Sequence, residues 1–374
     1  MAIDWAAVRA EFPALTKYTY LSTAGGGPMA RATRDAAVRY YDESVSDGDR
    51  SWNEWLRRVE ATRARVARFL NADPSALAFV QNTSHAMNLL AQWRQGTGAV
   101  LAMDDDFPTA TIPFLNRGYQ VEFLAADEQC RITPECFAAA LTPGIRTAVV
   151  STVQYATGFR LNLAACAQRC RERNVMLIAD ASQSICALPL DVQALNLDCL
   201  VCSCNKWGLS GYGIGLLYIR PGLLDGRPLP AASWMSVTHP PAMDNRSTDF
   251  KTGVVAVEGG GPSFPNIFAF GATVALVERI GMIAIAARID ELTEYLRSRL
   301  DACGCRIVSP RTPEARAGIT IIDLPEKERV AAALAERGIL VSVRRRGIRV
   351  AVNFYNSHAD IDILIAALQQ CAGN

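Results

Sequence analysis

Lysine is scarce in this chain. Of 38 Lys and Arg residues, only Lys17, Lys206, Lys251 and Lys327 are lysines. Arginine carries the general surface charge, so each lysine asks for its own reason. A desolvated lysine can lose its proton and attack an aldehyde, which a guanidinium cannot do. Lys206 stands between the apolar run Leu200-Val201-Cys202-Ser203-Cys204 and the glycine-rich stretch Gly208-Leu209-Ser210-Gly211-Tyr212-Gly213, where backbone can approach a ligand closely. Taken alone, Lys206 reads first as an ordinary surface lysine in a loop. Three further segments carry chemistry. Asn82-Thr83-Ser84 offers hydroxyls and backbone amides at the start of a helix, which suits a phosphate. Asp180 follows the five apolar residues Val175 to Ala179; a carboxylate placed there must pair, coordinate or neutralise, unless it serves only as a cap for residues 181–183. Gln154 and Ser203 close two other apolar runs. A phosphate site, a carboxylate and an amine are together what a pyridoxal phosphate pocket requires: the carboxylate keeps the ring nitrogen protonated and the amine holds the aldehyde.

These groups need a frame that collects strand ends. Short apolar runs at 78–80, 100–102, 121–124, 147–151 and 175–179 alternate with helical periodicity at 54–70, around 87–90 and at 163–173. Apolar strands interleaved with helices predict a mostly parallel sheet covered on both faces, and in such sheets ligands bind beyond the carboxyl ends of the strands. After about residue 265 the pattern becomes a long helix over 267–300, strands near 318–322 and 349–352, and a closing helix from Asp360. That tail reads as a smaller α+β domain. At 374 residues two associated domains are expected: a large one over 16–260, and a small one formed by 1–15 with 261–374. Residues 1–15 read as a short amphipathic helix, not a signal peptide.

Composition excludes several classes. A formal charge of +1 offers no field for nucleic acid or anionic membrane. No stretch approaches the length of a membrane-spanning segment. Eleven scattered cysteines fit reduced thiols in a cytoplasm better than disulfides, and their spacing does not suit zinc. The run Gly211-x-Gly213-x-Gly215 is no dinucleotide fingerprint, because a strand follows it and no acidic residue stands about twenty positions on.

The chain resembles the class V aminotransferase family, the cysteine desulfurase-like branch of fold-type I pyridoxal phosphate enzymes. The resemblance runs from Tyr20-Leu21-Ser22-Thr23-Ala24-Gly25-Gly26-Gly27-Pro28 through Asp180-Ala181-Ser182-Gln183-Ser184 and the Lys206 segment. It continues to Val257-Glu258-Gly259-Gly260-Gly261-Pro262 and Ile348-Arg349-Val350-Ala351-Val352-Asn353-Phe354-Tyr355-Asn356. It implies a seven-stranded, mostly parallel sheet in the large domain, pyridoxal 5'-phosphate as cofactor, an amino acid as substrate, and a homodimer that shares its active sites. By position, Lys206 resembles the Schiff-base lysine and Asp180 the partner of the ring nitrogen. Gln183 resembles the contact to the cofactor's phenolic oxygen, with Gln154 nearby. Thr83 and Ser203 resemble phosphate-binding hydroxyls, with Ser84 beside the same helix start. Phe107 takes the position of the aromatic that stacks on the ring, unless it is a core phenylalanine. Arg349 matches the arginine that binds the substrate's α-carboxylate, a task a guanidinium fork performs bidentately.

Departures from the family bear on the reaction. Asn205 precedes the lysine where many relatives have histidine. Gly261 replaces a threonine that reaches the partner subunit's phosphate, leaving only backbone for that contact. No cysteine lies between Cys305 and Cys371, so the sulfur-accepting cysteine of the desulfurases is missing from its usual loop. The expectation is therefore β-elimination of a sulfur-containing amino acid in the manner of C–S lyases, with Lys206 as general base and acid. Transamination comes next, then epimerisation; a non-catalytic protein on this fold is a further alternative. Arg344-Arg345-Arg346 is either a solvated loop face or, through Arg344, a second anion site for the substrate; nucleic-acid contact is remote.

Overall fold

The computed structural model describes residues 3–225 and 227–372; the expected ends of the small domain at 1–2 and 373–374 lie outside them. The central sheet has seven strands: Leu77–Val80 (β1), Ala99–Met103 (β2), Val121–Leu124 (β3), Ile145–Ser151 (β4), Met176–Asp180 (β5), Cys199–Ser203 (β6) and Gly215–Ile219 (β7). Their order across the sheet is β1-β7-β6-β5-β4-β2-β3. All neighbours pair parallel except at β7, which runs antiparallel to β6 and β1. Every residue of β1 and β7 is buried, as are nearly all of β2, β4, β5 and β6. This explains why they read as unbroken apolar runs. Because six strands point the same way, the chain leaves Val80, Met103, Ser151, Asp180 and Ser203 on one edge of the sheet. Register sharpens that convergence: Ser151 lies opposite Asp180, and Ser203 opposite Gly215.

A second sheet, Ser342–Arg344, Gly347–Ala351, Ile319–Asp323 and Arg306–Ile307 in that order, is antiparallel throughout. Its core includes Leu292, Leu296 and Leu300 of the helix Met282–Ala302, Leu334, and Ile361, Leu364 and Leu368 of the helix His358–Ala372. The N-terminal segment ties the two sheets. Thr19–Tyr20 pairs parallel with Ile339–Leu340, Ser22 bridges to Ala351, and the helix Trp5–Ala10 is anchored by Arg9 on Asp360 at 2.7 Å.

One region departs from the sequence expectation. The region 267–300 is two helices, Phe264–Ile280 and Met282–Ala302, bent by 82°. Gly281 at the break has φ of +94°, a conformation that favours glycine. The first of the pair packs on the helices Arg31–Asp47 and Trp52–Leu70: Thr33 and Thr273 share a hydroxyl hydrogen bond of 2.9 Å, and Phe264 sits 5.6 Å from Tyr40 and 5.5 Å from Trp55. A division at residue 261 thus cuts before a helix that packs with the large-sheet unit; the chain turns toward the small sheet at Gly281. The helix Arg31–Asp47 carries no clear apolar stripe, and only Thr33 in it is buried. No single described helix is long and apolar enough to cross a membrane.

Candidate active site

The site begins at the start of the helix Thr83–Trp93. Asn82 caps it by accepting from the His85 N–H at 2.9 Å, as the Asn-Thr-Ser run suggested. The next residue, Thr83, joins a knot of hydroxyls from three strand ends. Its N–H donates to Ser203 Oγ at 3.0 Å, and its own hydroxyl lies 2.9 Å from Ser203 Oγ and 2.8 Å from Ser182 Oγ. Ser182 Oγ also accepts from the Ser203 N–H at 3.0 Å. Ser182 was not anticipated, although it stands between Asp180 and Gln183 in the same segment. Ser84 turns away from the knot and bonds Thr109 Oγ1 at 2.6 Å. A cluster of hydroxyls at a helix N-terminus, with no carboxylate in it, is a fitting phosphate cradle.

Asp180 ends β5 next to this knot and is buried. Its carboxylate accepts from the Ser182 N–H at 2.8 Å, so the capping bond does exist, in a turn and not in a helix. Burial raises its pKa, opposed by Ser182 and by the charge of Lys206. Such a carboxylate calls for a cationic hydrogen-bond partner. A protonated ring nitrogen would be one. A second carboxylate, Asp106, was missed as a site group. It accepts from the Ser151 hydroxyl at 2.7 Å and from the Ser151 and Phe107 N–H groups at 3.2 and 2.8 Å. Since Ser151 faces Asp180 in register, the two carboxylates are neighbours. Burial, together with the Asp180 charge, pushes Asp106 up to about 6.

Lys206 lies in the turn after β6. Among the described residues its amine makes no hydrogen bond or ion pair, and it hangs 5.0 Å from the centre of the Phe107 ring, a cation–π distance. Burial holds its ammonium below the usual lysine range; Asp180 and Asp106 pull upward, while Arg349 and Arg344 push further down. Phe107 is 43% exposed, which no core phenylalanine would be, and meets Tyr155 edge-to-face at 5.4 Å. The Lys206 turn is packed from above by the N-terminal segment. Gly27 N–H bonds Asn205 O at 2.9 Å, and a Cβ on Gly27 would fall 2.3 Å from Lys206 O; only glycine permits that crossing.

The two glutamines hold structure around this amine. Gln183 accepts from Trp207 Nε1 at 2.7 Å and donates to Ala24 O at 3.1 Å, pinning the residue after Lys206 to the N-terminal segment. Gln154 donates to Asp104 O at 3.2 Å and accepts from Thr157 at 3.0 Å. Gly261, expected at the partner subunit's phosphate, stands just before the helix Phe264–Ile280. It lines a cavity of about 790 Å³ with Trp52, His85, Trp234, Lys251 and Glu258.

Across from Lys206 stand the arginines of the small sheet. Arg349 is 1% exposed; its Nη1 donates to Tyr155 O at 3.1 Å, while Nε and Nη2 have no partner. Burial, then Arg344, pushes it down to about 9. Arg344 is half-buried with an unpartnered Nε. Its turn neighbours have a different fate. Arg345 and Arg346 both bind Asp105, at 2.6 and 2.7 Å, so only Arg344 of the triplet faces the amine. Lys327 donates to the carbonyls of Arg344 and Arg345 at 3.0 and 2.6 Å and fixes the hairpin.

The family profile described as Aminotransferase class-V matches residues 19–364. Isopenicillin N epimerase of Streptomyces clavuligerus is 26% identical, covering 99% of both chains. An apo cysteine desulfurase from Thermococcus onnurineus NA1 superposes with a TM-score of 0.90 at 20% identity, over 99% of this chain and 98% of that one. The cystine C–S lyase C-DES, solved with glycine linked to its PLP cofactor, gives a TM-score of 0.88 at 23% identity, over 96% and 98% of the chains. The architecture is that of fold-type I enzymes, and the hydroxyl knot, the buried Asp180 and the unpaired Lys206 amine fit the phosphate, ring nitrogen and aldehyde of pyridoxal 5'-phosphate. The chain belongs to the class-V aminotransferase family.

Proposed function

We propose that the protein is a pyridoxal 5'-phosphate enzyme that eliminates the β-sulfur substituent of a cysteine-type amino acid. The observation that supports it best is the make-up of the wall facing Lys206: the hairpin 342–349 turns Arg344 and Arg349 toward the amine and contains no thiol. Cys130 accepts from Arg346 Nη1 of that hairpin at 3.5 Å, and burial raises its pKa, the opposite of what a sulfur-accepting thiolate needs. When bound, the cofactor supplies an electron sink for the pair left at Cα. The chain's residues do the rest. Thr83, Ser182 and Ser203 hold the phosphate, Asp180 keeps the ring nitrogen protonated, Phe107 covers the ring face, and Arg349 takes the α-carboxylate as a fork. Lys206, its ammonium destabilised by burial, accepts the Cα proton and passes a proton to the departing group. Transamination uses the same residues and differs in the carbon that receives the proton back.

Incubation of the holoenzyme with a panel of amino acids separates these outcomes. Pyruvate and thiol from a cysteine conjugate support elimination. Accumulation of the amine form of the cofactor with a keto acid assigns transamination instead, and loss of chirality without pyruvate assigns epimerisation. We also place a second copy of the chain over the cavity at Gly261, whose lining residue Trp234 is 45% exposed; light scattering at monomer mass would contradict this. Eleven unpaired cysteines suit a reducing cytoplasm.

A further inference from the structure

We propose that the substrate carries a second acidic group, which Arg344 binds while Arg349 holds the α-carboxylate. The substrate class is a cysteine S-conjugate whose sulfur substituent ends in a carboxylate or sulfonate; its sulfur rests on the elimination reading, its extra charge does not.

The small sheet presents both guanidiniums on one face. Ser342 pairs directly opposite Arg349, and Arg344 lies two residues further along the same strand. Alternate residues of a strand share a face, and directly opposed residues share it too. Ser342 is occupied by Ser22 at 2.7 Å, which leaves the two arginines to line the space toward Lys206. Neither has a carboxylate partner among the described residues. Arg349 keeps Nε and Nη2 unbonded although almost wholly buried, and Arg344 keeps Nε unbonded, its Nη1 reaching only the Val343 carbonyl at 2.6 Å. An unsatisfied buried guanidinium is costly, a cost that falls fully on Arg349 and in part on half-buried Arg344, and burial depresses both groups.

One carboxylate satisfies one fork. An α-carboxylate on Arg349 therefore leaves Arg344 still unpaired. The same turn shows that the protein neutralises arginine when it needs only structure: Asp105 serves Arg345 and Arg346 together. Arg344 is denied such an acid, and Lys327 clamps its backbone carbonyl so that the hairpin is held in place. A ligand acid completes the arrangement. In the reaction, the Cα proton goes to Lys206 and its bond pair forms the Cα–Cβ double bond. The Cβ–S bond breaks, with its electrons leaving on sulfur, which is then protonated. With one water the sum is one acidic thiol, one pyruvate and one ammonium ion, and no external oxidant or reductant is consumed.

The test is calorimetric titration of the holoenzyme with succinate against butyrate, and glutarate against pentanoate. Kinetics with S-carboxymethylcysteine and S-sulfocysteine against S-methylcysteine then distinguish carboxylate from sulfonate. The diacids are expected to bind about tenfold to a hundredfold tighter, one charge-assisted pair, with Arg344→Gln reducing the preference to near unity and Arg344→Lys keeping part of it. Equal binding of diacid and monoacid by the wild type, which needs no variant, overturns the inference; so does a preference that survives Arg344→Gln. A diacid preference without thiol release from any conjugate upholds the second acid site and fails elimination alone. Equal kcat/KM for S-methyl and acidic conjugates fails the inference and leaves elimination standing.

Discussion

The phosphate end and the arginine end of the Lys206 site are built in opposite ways. At the first, Thr83, Ser182 and Ser203 bond one another; the groups are neutral, mutually satisfied, and set on rigid strand and helix ends. At the second, Arg349 and Arg344 are charged, the first almost wholly buried and the second half-buried, and neither has a carboxylate partner among the described residues. A self-satisfied cluster keeps its shape before anything binds, whereas unpaired buried charge marks where a ligand must supply the counter-charge. The first end thus speaks for the cofactor and the second for the substrate. Lys206 sits between them, drawn toward its charged form by Asp180 and Asp106 and away from it by burial and the arginines.

Mutations can separate the two ends. Lys206→Ala belongs to both and should cost at least about a thousandfold in turnover, measured with whichever amino acid gives product. Asp180→Asn should cost about a hundred- to thousandfold in kcat while the affinity of the free enzyme for diacids is unchanged. If that affinity falls in parallel, the two ends are not independent. Arg349→Gln should lower kcat/KM by about a hundredfold and leave the absorbance of the bound cofactor as in the wild type. Asp105→Asn breaks only partly exposed ion pairs, each worth about 1 kcal/mol or less, so KM should rise no more than about fivefold.

The pH dependence gives the comparison a sign. Attack on the cofactor aldehyde needs the free amine, and Lys206 already holds its proton less tightly than an ordinary lysine. Removing a positive neighbour raises its pKa, so Arg349→Gln and Arg344→Gln should move the half-maximal rate of cofactor uptake by the apoprotein to higher pH. Removing a negative neighbour does the reverse: Asp180→Asn should move it to lower pH. Stopped-flow absorbance across pH measures both; shifts in one direction for all three would break the scheme.

The cofactor end was legible because its signals are local. An apolar strand with a polar residue at its end announces a sheet edge; Asp180 and Ser203 end such strands, and Asn82 and Lys206 stand shortly after them. Ser182 and Asp106 carried the same signal and were passed over, each beside a residue already singled out. The substrate end was legible only in part. Arg349 is marked by its strand, but the fate of Arg344, Arg345 and Arg346 is decided by Asp105, 240 residues away from Arg345. Nothing in the spacing of a triplet foretells which member a distant loop will neutralise. Likewise the glutamine contacts of Gln183 depend on the N-terminal segment crossing at Gly27, and the cavity at Gly261 on how the helix from Phe264 packs. The bend after Ile280 did have a local sign, Gly281, set inside an otherwise continuous helical pattern.

The central claim is that Lys206 holds the cofactor. Borohydride reduction of the purified holoenzyme followed by peptide mapping tests it directly. The expected result is a visible absorbance that borohydride removes, with the cofactor's mass fixed to the peptide containing Lys206 and absent from Lys206→Ala. A colourless protein that pyridoxal phosphate cannot reconstitute, or a label on Lys17, Lys251 or Lys327 instead, would contradict it.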